Sequence, residues 1–285
     1  MIKTIFNKLG LYRLAFPPGH FASPIPNVTE IFDSKKLFDE SQDIKDIELN
    51  IEKQIENIEA LKEYIIDNPY EKPNLINRYK FENGMLGPMD GLVLFSVIRK
   101  YNPSRIVEVG SGYSSAIMLD VNNLYFGDKL KLTFIEPYPA RLNSLLRDND
   151  AQSVQIIEDK IQNVDLELFK NLEENDILFL DTSHIVKTGS DVNYWLFNIL
   201  PILKTGVIIH IHDIFWPMEY PKEWIEQQKC YTEIYLIRAF LMNNSDYEII
   251  VFNNFLQKKY NNHIIKISEK LTETQGGSLW LRKVR

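Results

Sequence analysis

Two short segments of the chain gather the groups that carry protons and bind cations. Leu178-Phe179-Leu180-Asp181-Thr182-Ser183-His184 runs from apolar residues into an aspartate and a histidine, and His210-Ile211-His212-Asp213 does the same. Three of the five histidines fall in these two segments. Alternation along a strand turns His210 and His212 to one face, away from Ile211. Two chemistries fit. In one, Asp181, His212 and Asp213 hold a divalent ion, Mg2+ or Mn2+, which lowers the pKa of a substrate hydroxyl while His184 takes the proton. In the other no metal binds, and His184 alone is the general base, oriented by Asp181. His210 reads as a buried histidine satisfied by its neighbours.

A second constellation lies earlier, at Glu108-Val109-Gly110-Ser111-Gly112. Glycines allow a tight turn and bring bare backbone to a ligand, and a helix opening at Ser114 adds free amides and a positive dipole end. Glu136 stands 24 residues beyond Gly112, where a carboxylate accepts hydrogen bonds from ribose hydroxyls. A dinucleotide would share Glu136, but a carboxylate at position 108 repels a pyrophosphate, and Ser115 stands where the third fingerprint glycine belongs. The acidic turn suits S-adenosylmethionine, which carries an ammonium and a sulfonium and no phosphate.

The elements that must position these groups alternate. Leu86 to Tyr101 reads as a helix ended by Asn102-Pro103, and Arg105–Val109 as the first strand. Further strands are expected at Lys131–Glu136, Ser153–Ile157, Ile177–Leu180, Val207–His212, Tyr247–Phe252 and Ser278–Leu281, with helices near 140–147, 165–172, 190–200 and 232–243. Such alternation predicts an α/β fold, a doubly wound and mostly parallel sheet covered on both faces. No crossover helix is evident between the last two strands, which predicts an antiparallel edge. Residues 76–285 form this domain. Residues 1–75 read as an extension: a proline-rich strap over Phe16–Pro26, then a helix with Ile51, Ile55, Ile58, Leu61 and Ile65 on one stripe. That stripe suits first a helix covering the main domain, and second a homodimer face or a dock on a partner protein.

Composition narrows the classes. The formal charge of −7 argues against a nucleic-acid partner, whose affinity rests on clustered Lys and Arg. Cys230 is the sole cysteine, so neither an intramolecular disulfide nor a cysteine metal cluster is open to the chain. Charge interrupts the N-terminus before an apolar run reaches signal length, and no stretch approaches transmembrane length, so a cytoplasmic protein is expected. Ile2, Ile5, Phe6 and Leu9 share a helical face with Lys3, Lys8 and Arg13 beside it; this reads as a short helix packed on its own protein.

On these residues the chain resembles the class I S-adenosylmethionine-dependent methyltransferases. Glu108–Gly112 matches their first motif, and Ile135-Glu136 the acidic end of their second strand. The resemblance covers roughly residues 76 to 285. It implies a seven-stranded Rossmann-like methyltransferase sheet with a reversed final strand. It also implies a cofactor site at Glu108, Gly110, Ser111, Gly112, Ser114, Ser115 and Glu136: Glu108 near the methionine amine, Glu136 on the ribose, and Asp159 or Glu158 near the adenine. The Asp-x-x-His and His-Asp pairs are similar to those of the metal-dependent sugar O-methyltransferases of macrolide biosynthesis, with His212 where those enzymes usually carry a carboxylate.

The expectation is therefore O-methylation of a small-molecule, sugar or glycan-precursor hydroxyl, with His184 and Asp181 catalytic. The aromatic loop Ile214–Pro221 would wall the acceptor or pack the reversed strand, and Gly19-His20-Phe21 would form a lid or a structural strap. Two rival expectations are a metal-dependent hydroxylase on a related scaffold and a non-catalytic S-adenosylmethionine-binding subunit.

Overall fold

The computed structural model describes residues 14–33, 37–41, 44–71 and 76–285. The amphipathic stretch at Ile2–Leu9 lies outside the described residues. Seven strands, β1 (Arg105–Val109), β2 (Lys131–Ile135), β3 (Val154–Ile157), β4 (Ile177–Leu180), β5 (Ile208–Ile211), β6 (Tyr247–Phe252) and β7 (Leu279–Lys283), form one sheet in the order β3-β2-β1-β4-β5-β7-β6. The first five are parallel, and β7 runs antiparallel to both β5 and β6. Central strands such as Ile177-Leu178-Phe179-Leu180 are apolar throughout because helices cover both faces. The doubly wound, seven-stranded α/β sheet is as the sequence predicts.

The last two strands pair antiparallel at one edge of the sheet, as expected, but the reversed strand β7 is the inner of the two. It lies between β5 and β6, which leaves β6 outermost. A helix also lies between β6 and β7 where none was expected. Helices in chain order are α1 (Val28–Asp33), α2 (Ile51–Ala60), α3 (Lys62–Ile66), α4 (Pro88–Tyr101), α5 (Tyr113–Val121), α6 (Ala140–Leu145), α7 (Glu167–Lys170), α8 (Asp191–Tyr194), α9 (Lys222–Glu226), α10 (Glu233–Leu241) and α11 (Asn253–Ile267). The missed one is α11. Four asparagines weaken its intrinsic propensity, and its backbone leaves helical geometry at Tyr260. Buried Phe255, Leu256, Ile264 and Ile267 hold it in place by packing.

The apolar stripe before the sheet is not one helix. It divides at Leu61 into α2 and α3, and Ile58, Leu61 and Ile65 are buried in the same core as Leu92 and Phe95. Ile58, Leu61 and Ile65 thus cover the chain's own core, while Ile51 stays exposed and Ile55 half-buried. Gln54, fully buried on α2, accepts from the Phe252 amide at 2.8 Å, while Asn57 Nδ2 donates to the Ile250 carbonyl at 3.0 Å. Both partners belong to β6. At the entry to the main domain Arg78 is buried against Asp120 at 3.1 Å and Asp150 at 2.8 Å. Unpaired, any of these charges would be costly to bury.

Candidate active site

The glycine turn leaves β1 at the point where its two neighbours diverge, β2 on one side and β4 on the other. This is the switch point at which open α/β sheets bind ligands. Asp181 N–H donates to the Val109 carbonyl at 2.9 Å, so the segment beyond β4 lies directly against the turn. Gly110 has φ of 82°, and a Cβ there would fall 1.8 Å from the Asp181 carbonyl oxygen. Both the left-handed backbone and the close approach require glycine.

Glu136 stands on the cavity wall and accepts from the Ser111 amide at 3.1 Å and the Tyr138 amide at 2.8 Å. Each oxygen keeps a further lone pair. Glu108 lies elsewhere than expected. It is fully buried beneath the turn, with one oxygen accepting from Ser114 Oγ at 2.5 Å and the other from Ser115 Oγ. Burial pushes its carboxyl up to about 8 against the pull of the hydroxyls, so the neutral acid prevails at neutral pH. Ser115 Oγ also accepts from the Gly112 amide at 3.0 Å, so Glu108 and Ser115 build the start of α5 and Ser114 joins them. Asp159 and Glu158 are exposed outside the cavity. Asp159 accepts from the Lys160 amide and Asn163 Nδ2, both at 2.7 Å, and these bonds lower its pKa.

The second cluster does converge on the same cavity, of about 510 Å³. Asp181, His212 and Asp213 present ligand atoms within 4.8 Å of one another. His212 Nδ1 is 3.1 Å from Asp213 Oδ1 and 4.0 Å from Asp181 Oδ1. His184, left-handed at φ of 58°, points Nε2 at Asp181 (3.4 Å) and Asp213 (3.2 Å). Its Nδ1 lies 2.8 Å from Glu233 Oε2, at the buried start of α10. Burial alone would depress the His184 pKa, but Asp181, Glu233 and Asp213 carry it up to about 11. His212 likewise rises to about 10, burial being outweighed by Asp213 and Asp181. Asp181 is held below the usual carboxylate range by His212 and then His184, although burial works the other way. The orienting carboxylate of His184 is therefore Glu233; Asp181 faces the reactive nitrogen instead.

His210 takes no part. It is stacked on Phe179 at 3.7 Å, its Nε2 is 2.8 Å from Ser278 Oγ, and burial drives its pKa well down. Asp90, which the sequence did not single out, accepts from the Gly277 and Ser278 amides at 2.8 and 3.0 Å and so fixes the backbone beside Asp213.

The loop after β5 does not wall the cavity. Phe215, Trp216, Met218 and Tyr220 are buried, and Trp216 packs on Phe255 at 4.8 Å. The aromatic lining comes from Tyr113, Trp224 and Tyr231, joined by the cations Arg141 and Lys229. Nor does the strap form a lid: His20 stacks on Phe16 at 4.6 Å, Phe21 is exposed, and none of the segment Gly19-His20-Phe21 lines the cavity.

Residues 107–214, from within β1 to just past β5, match the family described as a methyltransferase domain. An uncharacterized protein of Archaeoglobus fulgidus is 41% identical over 172 residues, 57% of this chain and 76% of that one. The crystal structure of Podospora anserina methyltransferase PaMTH1 bound to S-adenosylhomocysteine superposes with a TM-score of 0.51 at 17% identity, covering 81% of this chain and 96% of that one. The O-methyltransferase TomG of Streptomyces achromogenes is more distant, with a TM-score of 0.44, 15% identity, and 91% and 97% covered.

Proposed function

We propose that this chain, which belongs to the class I S-adenosylmethionine-dependent methyltransferases, methylates a hydroxyl of a small acceptor, a sugar or glycan precursor among the candidates. The observation that carries the reading is a single cavity joining the glycine turn and Glu136 to Asp181, His184 and Asp213. The residues fit the adenosyl cofactor. Gly112 leaves bare backbone beside Arg141, the amides at the start of α5 stand behind it, and Glu136 has acceptor capacity for ribose hydroxyls. Glu108, Ser114 and Ser115 support that turn from below, a role in place of direct contact with the methionine amine.

Asp181, His212 and Asp213 offer two oxygens and one nitrogen, a donor set suited to Mn2+ and acceptable to Mg2+. Bound there, such an ion would supply Lewis acidity to the acceptor oxygen and offset the carboxylates that hold His184 charged. The chain's own residues do the rest. In its neutral form, the minor one at neutral pH beside these carboxylates, His184 accepts the hydroxyl proton at Nε2, and buried Glu233 balances the imidazolium through Nδ1. The acceptor oxygen then forms its bond to the methyl carbon as the carbon–sulfur bond breaks, and the electron pair passes to sulfur. Positioning supplies most of the rate.

Among the described residues no helix is long and apolar enough to cross a membrane. A cytoplasmic setting is part of the same proposal, supported by the acidic composition and single cysteine. Calorimetry with S-adenosylmethionine and with NADH tests the cofactor, and radiolabelled methyl transfer to extracted small molecules tests the reaction. Uptake of NADH with no response to S-adenosylmethionine would overturn the proposal.

A further inference from the structure

One part of the cavity wall is left without a role by the cofactor and the proton-transfer cluster. The segment from Trp224 to Tyr231 lines the cavity beside His184 and brings an aromatic surface with one cation. Tyr231 lies 5.1 Å from the His184 ring, and Trp224 lies 5.6 Å beyond Tyr231. Lys229 Nζ sits 4.4 Å over Trp224 and, among the described residues, has no carboxylate within ion-pair distance. Its charge is held at the wall by the indole face and not returned to a protein anion.

The segment is built, not draped. Lys229 N–H donates to the Trp224 carbonyl at 2.9 Å, and the amides of Thr232 and Glu233 donate to the His184 carbonyl at 2.9 and 3.1 Å. Its outer side forms an apolar groove with Ile25 of the N-terminal strap and Val28 and Ile31 of α1. The placement of His184, Tyr231, Trp224 and Lys229 on one cavity wall thus belongs to the fold.

We infer that the acceptor is a ring compound bearing an anionic group, a carboxylate or phosphate, with the ring against Tyr231 and Trp224 and the anion on Lys229. This rests on the methyltransferase reading, and it adds the charge of the substrate. A charge-assisted pair to Lys229 discriminates acceptors that are otherwise alike.

Calorimetry on the full chain separates the two claims. S-adenosylhomocysteine is titrated first, and its failure to bind sinks the methyltransferase reading itself. With that ligand saturating, paired probes follow: 3,4-dihydroxybenzoate against catechol, D-glucuronate against D-glucose, and D-glucose 6-phosphate as the phosphate arm. The anionic member of at least one pair is expected to bind about 10-fold more tightly, and Lys229→Met to remove that difference while S-adenosylhomocysteine still binds. The aromatic and sugar arms identify the ring, and the last arm tells phosphate from carboxylate. Equal binding within every pair, a preference that survives Lys229→Met, or no probe binding to the liganded chain would overturn the inference.

Discussion

His184 and Glu233, 49 residues apart in the sequence, meet at 2.8 Å between Nδ1 and Oε2 in a buried contact. The carboxylate fixes the ring so that Nε2 faces the cavity. A buried anion on one nitrogen also stabilises the charge the other acquires when it takes a proton. Glu233→Gln keeps the shape and removes the charge. It is expected to lower kcat on the order of 100-fold with KM for S-adenosylmethionine unchanged. Steady-state kinetics check this, and a rise in KM at constant kcat would show Glu233 to be merely structural.

Gly110→Ala adds a methyl into the space of the Asp181 carbonyl and forces alanine into a left-handed backbone. Strain and overpacking together cost about 3 kcal/mol. Urea unfolding is expected to show that loss, together with loss of S-adenosylhomocysteine binding. A variant as stable as the parent would mean that the turn and β4 are further apart than described.

Glu108 gives the stability a pH signature. Its folded pKa of about 8 exceeds the ordinary 4.5, so between these values the folded chain binds the extra proton. The stability this supplies is complete below the lower value and lost as pH rises through the upper one. Glu108→Gln cannot ionise. Its melting temperature relative to the parent is therefore expected to climb from about pH 5 to about pH 9. Thermal melts at both ends decide, and a constant offset would contradict the assignment.

Asp181, His212 and Asp213 make the response to metal a direct measurement. Mn2+ at about 100 times its dissociation constant should stabilise the protein by about 2.7 kcal/mol, and chelation should reverse it. Asp213→Asn is expected to abolish the shift. Unchanged melting of the parent in Mn2+ would remove the ion from the mechanism.

Much of this site was legible because particular residue types had few alternatives. Gly110 marks a turn that a side chain would block, Glu136 ends a strand, and Asp181 and Asp213 each lie just past a strand. Contacts across the fold were not legible. Nothing local ties Glu233 to His184, or Asp90 to the backbone of Gly277, because each depends on how separate elements pack. Glu108 was legible as an acid but not as a buried one: the hydroxyls of Ser114 and Ser115 reach it only when α5 folds back over the strand end. The aromatic run at Ile214–Pro221 was ambiguous for a simpler reason, since the side chains that stack on ligands also fill cores. α11 was hidden by its asparagines.

The two amides on α2 have an architectural consequence. Gln54 and Asn57 occupy the Phe252 amide and the Ile250 carbonyl, so a second chain finds the end of that ladder already taken. Among the described residues β3, paired on one side with β2, has no strand on its far flank. A polymer of this protein that grows by joining β-sheets is expected to start from that flank, which makes it the place to guard when the protein is concentrated.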